Sequence, residues 1–436
     1  MFTAISTASM LGIMASTYYF QNKESDNDHE KIKKIADNIG LYVTENKQKQ
    51  SIRIYRKTKK ENYSEYIYKI PLGLSFKRFE ENKQVFIDGL NNKSKHDFSL
   101  ANLKSINWRG DVLKQLKRLL NNRIKLDKQV EMEYDGMLKF RVYEKGLEKI
   151  QPYNDEVLAK IKGWQVPIGY THKDFITHDF DKLQMLVVAG MTRYGKTVFL
   201  KNIITTLINN NPDDVEFTLI DLKGGLAFNR FSNCKQVNKV ATNAEETIES
   251  LEEIHVNILK QQKEFLQKGF EDITEAGHKG RHFIVIDEGA EIAGFTDKEQ
   301  RERCTYLVGE IARIGAGLGY RLIFATQYPT ADVFPRTVKS NTSAALCFKL
   351  KNATQSMVVL DRGGAEDLPT GLRGRAIYQT DQDRIVQTPL IENDYIKDKI
   401  KIHIRSKEEL NASGKNKKHE QAGGNTFKLK EVGLHD

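Results

Sequence analysis

VVAGMTRYGKTVFL, residues 187–200, runs an apolar stretch into a glycine-rich turn and then into a helical pattern. Inside it, Gly190-Met191-Thr192-Arg193-Tyr194-Gly195-Lys196-Thr197 satisfies the spacing Gly, four residues, Gly-Lys-Ser/Thr. The apolar run ends at Ala189 and the helical pattern begins at Lys196, giving the strand–loop–helix frame that phosphate chemistry needs. Glycines let the backbone bend around phosphates with its N–H groups inward, and the helix start adds its positive end. The stretch therefore predicts that residues 190–197 cradle ATP. In that reading Lys196 reaches the outer phosphates and Thr197 is a ligand of Mg²⁺. A plain glycine turn before an ordinary helix is the competing reading, and the further elements below weigh against it.

HFIVIDE, residues 282–288, is an apolar run that ends in two carboxylates. Asp287 at such a strand tip can orient Mg²⁺, and Glu288 beside it can act as general base toward an attacking water. YRLIFATQYPT, residues 320–330, places Gln327 just past another strand, where an amide can sense the γ-phosphate. FTLIDLKGGLAF, residues 217–228, puts Asp221 and Lys223 at a third strand end, the edge at which open α/β sheets bind ligands. Gly224 and Gly225 predict a mobile loop there.

Short apolar runs alternate with longer helical stretches from about residue 169 onward, which predicts an α/β domain with a parallel-rich central sheet covered on both faces. Before it, residues 30–150 read as a small α+β domain. SIRIYRK and EMEYDGMLKFRVYEK alternate like half-buried strands, and GDVLKQLKRLLNNRIKLDK (110–128) has the spacing of a basic amphipathic helix. Residues 151–168 read as a linker, 165–395 as the ATPase domain and 405–436 as a disordered basic tail. Residues 1–22 carry no charge and are followed by Lys31, Lys33 and Lys34. They read as a single membrane anchor that keeps the ATPase cytoplasmic; a mobile N-terminus or a buried helix, on a cytoplasmic protein, is the alternative.

The net charge of +10 is unevenly spread: residues 51–150 hold 23 basic and 13 acidic groups, an excess equal to that of the whole chain. Such a block suits a polyanion, either DNA or an anionic membrane surface. Cys234, Cys304 and Cys347 are far apart with no Cys-x-x-Cys pair, so neither a disulfide framework nor a zinc site is indicated.

Taken together, GMTRYGKT, LIDLKGG, VIDEGAEI, IARIGAGLGYRLIFATQYPTADV and LDRGGAEDL resemble the FtsK/SpoIIIE class of DNA-translocating ATPases, over roughly residues 165–390. The most discriminating pieces are Asp287–Glu291, Ala325–Pro329 and the Gly-Gly-Ala-Glu at 363–366. The resemblance implies a RecA-like P-loop ATPase, a homo-hexameric ring with ATP sites between subunits, and DNA as the partner threaded through it. The outline of anchor, basic domain and motor, with YKIPLGLSF and GWQVPIGYTHKDFITHDFDK, is similar to the coupling ATPases of Gram-positive conjugative elements. That branch implies a relaxase and membrane channel components as further partners. One departure concerns the arginine that the family supplies from a neighbouring subunit: the matching position is Ala345, leaving Arg313, Arg336, Arg362 or Arg373 as substitutes, the last two preferred. Loops Leu226–Asn233 and Ala331–Lys339 are candidates to grip DNA phosphates through Arg230, Arg336 and Lys339. A protein-secretion ATPase of the same superfamily, or a nucleotide-gated scaffold that recruits a relaxase, are the competing functions.

Overall fold

The computed structural model describes residues 28–45, 47–92, 94–96 and 123–406, and divides the chain after Gly146 into two units. The expected anchor at 1–22, most of the amphipathic stretch at 110–128 and the tail from 407 lie outside the described residues.

In the first unit, helix α1 (Asp28–Asn38) is followed by β1 (Tyr42–Glu45), β2 (Gln48–Ser51), β3 (Arg53–Lys59) and β4 (Tyr63–Lys69). Helices α2 (Phe76–Glu81) and α3 (Lys83–Asn91) come next, then β5 (Ser94–His96), β6 (Arg123–Lys125), β7 (Gln129–Tyr134) and β8 (Leu138–Tyr143). Strands β3, β4, β8 and β7 form an antiparallel sheet in that order. Period-two alternation sends Ser64, Tyr66 and Tyr68 of β4 inward. There the two tyrosines pack with Phe79, Phe86 and Phe140. Edge strand β3 is exposed along most of its length and carries Arg53, Arg56, Lys57 and Lys59. Charges on an open edge discourage pairing with another chain, and they also place part of the basic excess on one accessible strip.

The second unit begins with β9 (Gln151–Pro152), α4 (Asp155–Ala159), β10 (Gln165–Tyr170), β11 (Phe175–Asp179) and β12 (Met185–Ala189). Residues 151–168 are therefore not a linker. Tyr153 and Val157 are buried in the core of this unit, and a two-residue strand and a five-residue helix are too short to stand out in the sequence. Then follow α5 (Lys196–Asn210), β13 (Val215–Ile220), β14 (Val237–Ala241), α6 (Ala244–Lys268), β15 (Arg281–Ile286), α7 (Ala290–Ala293) and α8 (Lys298–Ile314). The unit ends with β16 (Tyr320–Thr326), α9 (Arg336–Asn341), β17 (Ala344–Phe348), α10 (Ala353–Leu360), β18 (Arg375–Gln379), β19 (Asp383–Gln387), β20 (Pro389–Leu390) and α11 (Asn393–Ile400).

One ten-stranded sheet runs β11-β10-β19-β18-β17-β12-β16-β15-β13-β14. The six strands from β17 to β14 are parallel, and β18, β19, β10 and β11 extend the sheet antiparallel. Alternation sorts the apolar strands between two cores. Leu186, Val188, Phe217, Leu219 and Val285 meet Phe199, Ile203 and Leu207 of α5 on one face. Val187, Ala189, Ile220, Ile284 and Ile286 meet Leu251, Ile254 and Ile258 of α6 and Leu307 and Ile311 of α8 on the other. Helices cover both faces, which is why the strands read as nearly unbroken apolar runs. Helix α6 starts where the Asn243 side chain accepts a hydrogen bond from the Glu246 N–H at 2.9 Å, and it stops at Gly269, whose φ of 76° only glycine adopts cheaply. The three cysteines are free and buried.

At the edge of the sheet opposite the site, Asp181 joins β15 to β16. Its Oδ1 accepts from Arg281 Nε and from Arg321 Nη2, each at 2.9 Å. Burial opposes ionisation of Asp181, yet the two guanidiniums hold its carboxyl below the ordinary range. Both arginines are buried, so Asp181→Ala leaves two uncompensated cations. We expect a loss of about 2 kcal/mol, below the usual cost of breaking a buried pair because Asp181 itself is partly open to water. A lowered urea midpoint checks this, and Asp181→Asn should lose less.

Candidate active site

Parallel strands in register bring the sequence-predicted residues to one edge. Ala189 pairs with Thr326, Ile286 with Phe324 and Ile220 with Ile286, so Gly190, Gln327, Asp287 and Asp221 leave the sheet side by side. The turn from Gly190 to Thr197 is fixed by backbone bonds. Gly190 N–H donates to Thr326 O (3.2 Å), Met191 N–H to Lys349 O (2.9 Å) and Gly374 N–H to Tyr194 O (2.9 Å). A Cβ on Gly190 would lie 2.6 Å from Phe348 Cβ. Gly195 has a φ of 121°, and Arg193 also adopts a positive φ, of 71°. The turn is thus bent into a conformation that side chains resist, as a phosphate cradle requires. Helix α5 starts at Lys196 behind Gly195, which has no side chain to cap the first N–H groups, so these remain available to an anion.

Lys196 is buried, with its Nζ 2.9 Å from Asp287 Oδ1, also donating to the Asp287 carbonyl, and 3.6 Å from Glu288 Oε2. Thr197 Oγ1 donates to the same Asp287 Oδ1 at 3.4 Å. Glu288 is 1% exposed. Its Oε1 accepts from Thr326 Oγ1 and from the Gln327 N–H, both at 2.8 Å, and its Oε2 accepts from Lys223 Nζ at 3.1 Å. Gln327 reaches back to the turn, where its Oε1 accepts from Thr192 Oγ1 at 2.6 Å. Lys196, Thr197, Thr192, Asp287, Glu288 and Gln327 therefore form one connected polar cluster. Met191, Arg193 and Tyr194 shape the turn, and the bonds that join this cluster are made by other side chains.

The sequence did not show Lys223 and Thr326 as partners of Glu288, since Lys223 lies 65 and Thr326 38 residues away along the chain. Nor did it show Lys201, one turn beyond Thr197. Burial, then the neighbouring Arg230, hold this lysine below its ordinary range, with Asp287 and Asp221 partly offsetting them. Asp221 serves its own loop: Oδ2 accepts from the Ala227 N–H at 2.7 Å and Oδ1 from the Lys223 N–H at 3.2 Å. Among the described residues no group of three or more His, Cys, Asp or Glu could cage a metal ion. One hydroxyl and one carboxylate, Thr197 and Asp287, are the donor set suited to a Mg²⁺ that keeps water and phosphate oxygens as its other ligands.

The two candidate gripping loops are anchored by buried apolar residues: Phe228 and Phe231 in the first, Phe334 and Val338 in the second. Lys339 is paired with Asp361 at 2.7 Å. Of the substitute arginines, Arg313 binds Glu310 and Arg362 binds Asp383 within the chain, while Arg373 is exposed beside Gly374 at the Tyr194 carbonyl. Ala345 is buried in the core. Glu366 folds its own turn by accepting from Ser356 Oγ and the Gly364 N–H. Burial works against its charge, and these donors together hold its carboxyl below the ordinary range.

Residues 164–283, which span the turn, α5 and the Asp221 loop, match the FtsK/SpoIIIE family model. That stretch of the second unit is similar to FtsK/SpoIIIE-family ATPases. The chain is 28% identical to the DNA translocase FtsK of Corynebacterium efficiens over 215 residues, 45% of this chain and 22% of that protein. It is 30% identical to the ESX secretion system protein YukB of Bacillus subtilis over 259 residues, 54% of this chain and 17% of that protein. It thus spans about a quarter or less of these curated relatives. Among solved structures, the pCW3 conjugation coupling protein TcpA, a monomer form with ATPgS, is similar with a TM-score of 0.55 and 18% identity. That match covers 86% of this chain and 99% of that one. This likeness establishes a shared fold, RecA-like with a parallel-rich sheet, preceded by a small α+β unit. Among the described residues no helix is long and apolar enough to cross a membrane.

Proposed function

We propose that this chain is an ATP-driven DNA translocase that delivers DNA to a membrane channel during conjugative transfer. The observation that carries the proposal is the cluster joining Lys196, Asp287, Glu288, Gln327 and Thr192 across three strand ends. In it Lys196 takes the β- and γ-phosphates, with the backbone of Gly190–Thr197 around them. Thr197 and Asp287 would hold Mg²⁺, which would offset charge on the phosphate oxygens. Glu288 orients and deprotonates the attacking water, and Gln327 answers to the γ-phosphate through its link to Thr192. Lys196 is held by Asp287 in this structure, so taking up ATP means exchanging one anion for another at the same ammonium.

The likeness to a DNA translocase and to a conjugation coupling protein supports DNA as the substrate, and the exposed basic strip on β3 suits its phosphates. A homo-hexamer, with a relaxase and channel components as partners and membrane attachment through residues 1–22, completes the proposal. The 30% identity to YukB favours a second reading, an ATPase that moves polypeptide. Turnover of the full chain decides between them. Single- or double-stranded DNA should raise the ATPase rate and secretion-signal peptides should not. The reverse pattern overturns the DNA reading.

A further inference from the structure

Glu288 is held between two sides. Thr326 Oγ1 and the Gln327 N–H occupy Oε1, while the ammonium of Lys223 caps Oε2 at 3.1 Å. Oε2 is the oxygen left to receive a water's proton, and an oxygen facing an ammonium is not free to orient that water. Lys196 also stands 3.6 Å from Oε2. Once Lys196 turns to phosphate, Lys223 is the cation that remains in contact with the base.

Lys223 stands at the root of a loop whose tip is open to solvent. Asp221 pins the root through the Lys223 and Ala227 N–H groups. Beyond the root, Gly224 and Gly225 take φ values of 86° and 75°, and Leu226 is 83% exposed. Lys223 itself has 37% of its side chain open to solvent, whereas Glu288 is buried. The ammonium can therefore leave toward solvent while the carboxylate cannot follow. Further along the same loop, Arg230 Nη1 is buried with no hydrogen-bond partner among the described residues. One loop thus carries a half-exposed ammonium and, behind it, an arginine with one guanidinium nitrogen unpartnered, both of a charge that suits phosphate.

We propose that Lys223 is a positioning residue that restrains Glu288, and that the phosphates of a bound DNA strand draw its ammonium away and release the base. This rests on the translocase reading for the identity of the releasing anion, while the restraint itself rests on the geometry alone. Through this one ion pair on the loop after β13, a motor without cargo keeps its ATP unhydrolysed.

Steady-state ATPase of the full chain, with and without double-stranded DNA, tests it in wild type, Lys223→Met and Lys223→Arg. Lys223→Met should raise kcat without DNA about three- to tenfold, the scale of an ion pair half open to water, with KM unchanged. DNA should then add little. Lys223→Arg, which keeps the cation, should retain the low basal rate and the response to DNA. A Lys223→Met enzyme whose basal kcat is unchanged or lower overturns the proposal. A wild type indifferent to DNA defeats the DNA reading and the release step with it, and the basal comparison still decides the restraint.

Discussion

Glu288→Gln should leave nucleotide binding intact and reduce ATP turnover by about 10²- to 10⁴-fold, the contribution of a positioned general base. The substitution is nearly isosteric, and its amide oxygen can still accept from Thr326 Oγ1 and the Gln327 N–H, which hold Oε1 at 2.8 Å in the wild type. The structural role of the side chain is therefore kept. Its ability to take a proton is lost, and the amide nitrogen now faces the Lys223 ammonium, donor against donor. Single-turnover hydrolysis and titration with a fluorescent ATP analogue separate the two quantities. Hydrolysis within about tenfold of wild type would remove Glu288 from the chemistry and leave it as a strut between β15 and β16.

Why some of this site was legible and some was not follows from how each residue is placed. Gly190, Lys196, Thr197 and Asp287 sit at the ends of apolar runs, and a parallel strand end is visible as the point where such a run stops. The order of the strands is not visible in that way. Strand β16 lies between β12 and β15 although it follows β15 in sequence, and only this order sets Thr326 and Gln327 against Glu288. The antiparallel extension through β18, β19, β10 and β11 was likewise hidden, since the chain enters the sheet at β10 and returns to that side after β17. Pairings across long separations, such as Lys223 with Glu288 or Asp181 with Arg321, leave no local pattern. The residues 363–366 show the opposite case. They stand out in sequence, yet Glu366 spends its carboxylate on Ser356 and Gly364 of its own turn.

Lys196→Ala should abolish ATP binding together with turnover, and it should also unsettle the folded site. In the wild type this ammonium lies among Asp287 and Glu288, both nearly fully buried. Removing it leaves two carboxylates with Lys223 as the one remaining cation bound to Glu288, and none bound to Asp287 among the described residues. Breaking a buried pair from one side costs about 3 kcal/mol, because the surviving charge keeps its desolvation penalty. The two effects are separable by thermal unfolding with and without ATP and Mg²⁺. Nucleotide at about a hundred times its Kd stabilises a protein that binds it by roughly 2.7 kcal/mol, which the wild type should register as a rise in Tm. The variant should start from a lower Tm and show no rise at all. A variant that starts lower yet still rises with ATP would mean that the backbone of residues 190–197 binds phosphate unaided, with Lys196 serving chiefly to neutralise Asp287.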